Sequence, residues 1–204
     1  VESDFAWRSI DIATIAAADF ENVASDEVVA QFEAYTAGWN DQLADDGGEF
    51  DNGWCAGAEW VRPLEPVEIY TYARSVALQA SSARLVDYIG SEQPPVDEPV
   101  GLRRATSSTI NLSRFEQAVD GLGLNDAASL GSNGWAIGRD RVEGAQGGLL
   151  LANPHFPWEG ELRFAEAHLT VPGQFDIYGA NLLGLPGIGI GFTDGLAWTH
   201  TVSA

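Results

Sequence analysis

The chain of 204 residues is long enough for one ordinary domain or slightly more, and 45% hydrophobic residues with seven Trp can supply a core. Its ten basic residues are all Arg, and thirty acidic residues bring the formal net charge to -20. Nucleic acid and anionic membrane surfaces are therefore poor partners, because like charges repel, and no uncharged apolar run has the length of a membrane helix.

The acidity reads as a solvated surface, such as a salt-adapted protein carries, or as a field steering a cationic substrate. No Met occurs, so the sequence is expected to be a processed, trimmed or partial stretch. Val1-Glu2-Ser3-Asp4 lacks the basic start and apolar stretch of a signal peptide. Cys55 is the single cysteine, so it is a buried thiol or pairs with a cysteine outside this sequence.

Residues 1–90 read as helical. Ser25 is placed as an N-cap, with Asp26 and Glu27 in a first turn where carboxylates meet the positive end of the helix. Val28, Phe32, Tyr35, Trp39 and Leu43 recur at helical spacing, and Asp45-Asp46-Gly47-Gly48 stops the run. Residues 52–63 form a loop with Trp54, Cys55 and Trp60. A further helix is predicted to start at Pro66, to carry Val67, Tyr70, Ala73, Ala77, Ala80 and Leu85 on one face, and to end near Gly90.

Residues 91–131 are rich in breakers and polar side chains, with at most one short helix around 113–120, and read as a linker or functional loop. Asn111-Leu112-Ser113 in this stretch matches a glycosylation acceptor by pattern alone. From Ser132 onward short strands are predicted over 135–138, 148–152, 162–171, 175–182, 188–192 and 196–202, divided by Gly, Pro or Asp turns. His168 on the third of these is given a structural role. The run Gly187-Ile188-Gly189-Ile190-Gly191 lacks nucleotide-loop spacing and suits a strand closely approached by another backbone. Helices first and strands later imply an α+β fold.

The chemistry centres on Gly131-Ser132 and on Asn153-Pro154-His155-Phe156. A serine needs a base to become a nucleophile. The elbow signature G-x-S-x-G fails because Leu130 stands two residues before Ser132. Metal hydrolysis fares no better, since His155, His168 and His200 are far apart and lack ligand spacing. Cleavage at Gly131-Ser132 would instead free an α-amine of pKa about 8, which serves as base for its own hydroxyl.

These motifs, with the segment Cys55 to Pro63, resemble the penicillin acylase family of N-terminal-nucleophile hydrolases, in the branch of acyl-homoserine-lactone and aculeacin-type acylases. The resemblance covers nearly the whole chain and implies an αββα sandwich. It implies a processed heterodimer with residues 1–90 in the small subunit, a spacer at 91–131, and a large subunit starting at 132–204.

It further implies self-cleavage between Gly131 and Ser132, with Ser132 as nucleophile and His155 orienting or tuning it. The Val202 backbone N–H is half of an oxyanion hole. Phe156 and Leu185 fall where the acyl chain is held. A second oxyanion donor, an Asn side chain, and a supporting Arg would come from sequence beyond Ala204, so the chain alone is expected to be almost inactive.

The implied substrates are small N-acylated molecules, either long-chain acyl-homoserine lactones or acylated lipopeptides, in a secreted or periplasmic parent without a cofactor. Some members hold calcium, for which the sequence shows no ligand cluster. A β-lactam acylase and a silent acyl-binding homologue are the alternatives.

Overall fold

A computed structural model describes residues 2–47, 55–78, 131–144, 147–160 and 162–201. Within them lie four α-helices, α1 (Glu2–Ser9), α2 (Ile12–Asn22), α3 (Asp26–Asp45) and α4 (Pro66–Ala77). Six strands follow: β1 (Gly131–Ile137), β2 (Leu149–His155), β3 (Phe164–Val171), β4 (Phe175–Leu182), β5 (Ile190–Phe192) and β6 (Ala197–Trp198). The mixture of helix and sheet agrees with the α+β reading. Contacts divide the chain into two units, one of residues 1–23 with 70–126 and one of 24–69 with 127–204.

In the first unit α1 and α2 are separated by a break at Asp11, which sits in the left-handed region at φ 54°. A short polar side chain tolerates that conformation better than most. Ala6, Ile12 and Ala16 are buried there. Arg74 pairs with Asp19, and the Phe20 and Tyr70 rings meet at 5.2 Å.

In the second unit α3 follows the sequence closely. Ser25 accepts from the Val28 N–H at 3.4 Å, Asp26 and Glu27 occupy the first turn, and Gly47 turns the chain out at φ +75°. Phe32 and Leu43 are buried, while Trp39 on the predicted face lies at the exposed margin. Thr36 is buried too; its hydroxyl donates to the Phe32 carbonyl at 2.7 Å, which removes the cost of burying it. Leu43→Ala should destabilise the full-length protein by about 2–5 kcal/mol, because Leu43 is 1% exposed and its loss leaves a cavity. A shift of the denaturant midpoint is the check.

Before α4 the Asn40 amide holds the chain at both ends of Leu64, donating to its carbonyl at 2.9 Å and accepting from its N–H at 2.8 Å. Helix α4 starts at Pro66 as predicted. Glu68 at its third position accepts from the Glu65 N–H at 2.8 Å, so one orphan donor is satisfied. Arg62 forks onto the same carboxylate at 2.5 and 3.1 Å and holds the Glu68 carboxyl below its usual range, with the Glu65 N–H as the next contributor. The predicted continuation of this helix to Gly90, and residues 91–130, lie outside the described residues. Cys55 is a half-buried free thiol.

Strands β1 and β2 pair antiparallel, and β3-β4-β5-β6 form a second antiparallel sheet in that order. All six predicted strands occur, with changed ends. β1 reaches back to Gly131, and β6 is only two residues long. Gly179 and Gly191 face each other across β4 and β5, and the close backbone approach expected of the glycine run is found there.

Candidate active site

β1 and β2 place the candidate nucleophile. Their register sets Gly131 opposite His155, Ser132 opposite Pro154 and Asn133 opposite Asn153. Side chains alternate along a strand and directly paired residues share a face. Ser132 and Gly134 therefore project to one face, together with Pro154 and Ala152. His155, Asn153 and Asn133 project to the other.

Ser132 is half-buried, and its hydroxyl donates to the carbonyl oxygen of Gly131 at 2.6 Å. The hydroxyl oxygen thus lies along the peptide bond that self-cleavage would break. His155 is exposed, with its Nδ1 only 3.1 Å from where a Gly131 Cβ would stand. Its ring flanks the Gly131 end of that bond rather than the Ser132 hydroxyl. Any larger residue at 131 would drive the imidazole away, which gives the glycine a spatial reason.

The other ring nitrogen, Nε2, is 3.2 Å from Asn153 Nδ2. Asn153 fixes the ring from two residues away on the same face, and this partnership was open to a period-two reading of Asn153-Pro154-His155. Trp135, Ile137, Leu149 and Leu151 continue that face as an exposed apolar strip.

Phe156 follows β2 directly, half-buried, with its ring 5.2 Å from that of Phe164 at the start of β3. Leu185 sits half-buried in the turn after β4, and its N–H donates to the Leu182 carbonyl at 3.2 Å. Asn181 shapes that turn. Its amide nitrogen donates to the carbonyls of Pro186 at 3.0 Å and Gly187 at 3.3 Å, while its oxygen accepts from the Leu182 N–H at 2.9 Å. Asn181 was not singled out from the sequence, since an Asn inside a strand pattern gives no local sign of clamping a later turn.

Val202 lies outside the described residues. The chain leading to it is held on one side by Trp198, whose indole N–H donates to the Gly189 carbonyl at 2.8 Å. Thr199 and Thr201 then lie against Gly134 of β1. Three candidate residues, Gly131, Ser132 and His155, thus share one pair of strands, and the segment ending at Thr201 lies against the same strand as Ser132.

His168 is placed elsewhere, on an exposed cross-strand network. It pairs with Asp176 at 2.7 Å and stacks edge-on against Tyr178 at 5.9 Å. Hydrogen bonds from Thr170 and then His168 keep the Asp176 carboxyl below its usual range. An open depression of about 410 Å3 lies over these residues with Phe192, Thr193 and Asp194, and contains none of the candidate site residues. Among the described residues no three His, Cys, Asp or Glu side chains are grouped so as to hold a metal ion. No described helix is long and apolar enough to cross a membrane.

The chain is similar to the acyl-homoserine lactone acylase PvdQ of Pseudomonas syringae pv. syringae, 36% identical over 190 residues that make up 92% of this chain and 23% of that protein. It is 39% identical over 178 residues to the PvdQ acylase of Pseudomonas putida, covering 86% of this chain and 21% of that one. Aculeacin-A acylase of Actinoplanes utahensis is 36% identical over 180 residues, 87% of this chain and 22% of its own length. The chain thus spans less than a quarter of the length of each of these relatives. The family model for penicillin amidase matches residues 1–204, and the chain belongs to the penicillin amidase family.

Proposed function

We propose that this chain carries the nucleophile-bearing part of an acylase that cleaves the amide of N-acylated substrates through Ser132. The observation that carries the reading is the Ser132 hydroxyl held 2.6 Å from the Gly131 carbonyl oxygen, in a chain of the penicillin amidase family. In self-processing, Oγ of Ser132 bonds to the Gly131 carbonyl carbon, the C–N bond breaks, and the hydroxyl proton passes to the departing nitrogen. Water then hydrolyses the resulting ester, leaving a Gly131 carboxylate and a free Ser132 amine. His155, whose ring flanks Gly131, orients or tunes the nucleophile.

The freed amine, of pKa about 8, takes the hydroxyl proton in each later turnover. Attack on the substrate amide forms an acyl-enzyme and releases the amine, and water releases the acid. The Val202 N–H stabilises the oxyanion. Phe156 and Leu185 contact the acyl chain. In this reading the protein is a processed heterodimer with the αββα sandwich of N-terminal-nucleophile hydrolases, residues 1–90 belong to the small subunit, and 91–131 to the spacer. No cofactor takes part. The substrates are long-chain N-acyl-homoserine lactones or acylated lipopeptides, in keeping with the names of the relatives.

The test is intact mass and N-terminal sequencing of the full-length protein, followed by hydrolysis of amides of graded acyl length. A new N-terminus at Ser132 is expected. So is a kcat/KM that rises roughly fourfold per added methylene until the slot is full, from about 0.8 kcal/mol per buried CH2. Preference for short or aromatic acyl groups would make the protein a β-lactam side-chain acylase instead. An uncut chain that binds acyl ligands without turnover would make it a silent homologue.

A further inference from the structure

Three strands each bring one ring to the same face of the second sheet. His168 of β3 stands opposite Tyr178 of β4, and Tyr178 stands opposite Phe192 of β5. Directly paired residues share a face, so the rings form a row, with centroids 5.9 and 5.7 Å apart. The row is open to solvent, Tyr178 being 40% and Phe192 54% exposed. Carboxylates rim it. Asp176 precedes Tyr178 by two residues and so lies on the same face. Asp194 follows Phe192 by two, in a turn closed by the Thr193 N–H donating to the Leu196 carbonyl at 2.7 Å. The Tyr178 hydroxyl donates to Glu166, which sets a third carboxylate beside the row.

The depression of about 410 Å3 over these rings is lined by His168, Asp176, Tyr178, Phe192, Thr193 and Asp194, with no Arg among them. His168 is the one basic group in that lining, and its Nε2 is already held 2.7 Å from Asp176. The face of an aromatic ring carries the negative lobes of its quadrupole, so rings and carboxylates attract the same sign of charge. A concave surface of one sign concentrates the opposite ion. An anion would be repelled here, and a neutral apolar ligand would cover the carboxylates without giving them a partner. A positive charge wrapped in methyl or methylene groups suits both kinds of lining.

We propose that this depression binds a small alkylammonium ion from solution. It shares no residue with Gly131, Ser132, His155, Phe156 or Leu185, so the ion occupies a place separate from the candidate acylase site. The rings of Tyr178 and Phe192 receive the alkyl-clad charge, and Asp194 and Asp176 balance it from the rim.

The experiment is saturation-transfer NMR of choline with the full-length protein, repeated with its neutral isostere 3,3-dimethylbutan-1-ol. Choline should bind with a dissociation constant on the order of 1–10 mM, since exposed cation–ring contacts are individually weak. Its N-methyl protons should show the strongest transfer. The neutral alcohol should bind at least roughly tenfold more weakly, because it lacks the charge that rings and carboxylates attract. Phe192→Leu, which keeps apolar bulk but removes the ring, and Asp194→Asn should each weaken choline binding about three- to tenfold.

Asp140→Asn makes the same change of net charge at a carboxylate that is 94% exposed and outside the depression, and should leave choline binding unchanged. Equal weakening by Asp140→Asn and Asp194→Asn would mean attraction to the overall acidic surface and overturns the proposal. So does equal binding of the neutral alcohol, or the absence of a choline signal in this range, as when a cationic side chain of the protein fills the depression. Should Phe192→Leu be insoluble, Asp194→Asn decides alone, since it alters an exposed turn side chain. Amide hydrolysis is a separate readout, and its absence from the wild-type protein would remove the acylase reading while leaving choline binding as expected.

Discussion

Ser132→Ala is expected to leave the full-length protein as one uncut chain with no measurable amide hydrolysis. The substitution removes one oxygen, but in the proposed mechanism that oxygen acts twice. It attacks the Gly131 carbonyl once, to create the amine, and attacks the substrate in every turnover afterwards. Without the first event the nitrogen of residue 132 stays an amide, which cannot take a proton near neutral pH, so the base is lost together with the nucleophile. Loss of a serine that works as a unit with its base costs on the order of a millionfold in kcat.

The structural cost is small by comparison. Among the described residues the Ser132 hydroxyl bonds to the adjacent Gly131 carbonyl, and a hydrogen bond of that kind contributes about 1 kcal/mol. A folded, uncut and inactive Ser132→Ala protein is thus the expected result from intact mass and a chromogenic amide assay. Cleavage at Gly131-Ser132 in this variant, or hydrolysis within tenfold of wild type, would sink the mechanism.

The features legible in the sequence were those encoded locally. Ser25, Asp26, Glu27 and Gly47 mark both ends of α3, because caps and stops act within a turn of the backbone they satisfy. The strands predicted at 162–171 and 175–182, with a turn between them, occur as β3 and β4 about Gly173 for the same reason. What failed to show was set by distant partners. Thr36 belongs to the core although a threonine has no claim to it, since the Phe32 carbonyl satisfies its hydroxyl. Gly131 and Gly134 fall ahead of the strand predicted at 135–138, yet they lie inside β1, where each leaves room for a side chain from elsewhere: His155 in one case, Thr199 and Thr201 in the other. The relation of His155 to Ser132 depended on register, and a one-residue difference in pairing would have put both on the same face.

Gly179→Ala should be the most damaging small substitution in the sheet. A Cβ at 179 would stand 2.1 Å from the Ile190 carbonyl oxygen, 2.6 Å from Gly191 Cα and 2.8 Å from Ile188 Cγ2. Two of these three atoms are backbone, so no rotamer change relieves the overlap. β4 and β5 must separate by an ångström or more, and β5 is held to β4 at only three register positions, of which Gly179–Gly191 is the middle one. Loss of that pairing frees β6 as well, because β6 is joined to the sheet through Gly191 and Phe192. The Thr199–Thr201 segment follows β6 directly, so the damage reaches the side of the candidate site that lies against β1.

A cost of about 3 kcal/mol or more is expected, at the upper end for overpacking, with lost amide protection at Phe192 and Trp198 by hydrogen exchange. Gly138→Ala is the matched control. Gly138 has ordinary extended dihedrals at φ -64° and ψ 150°, and nothing stands within 4 Å of its Cβ position. Ala fits there without strain and should be neutral, or stabilise by about 0.4–1 kcal/mol through the unfolded chain. Equal effects at the two positions would mean that conformational freedom, rather than the space between β4 and β5, is what glycine supplies at 179.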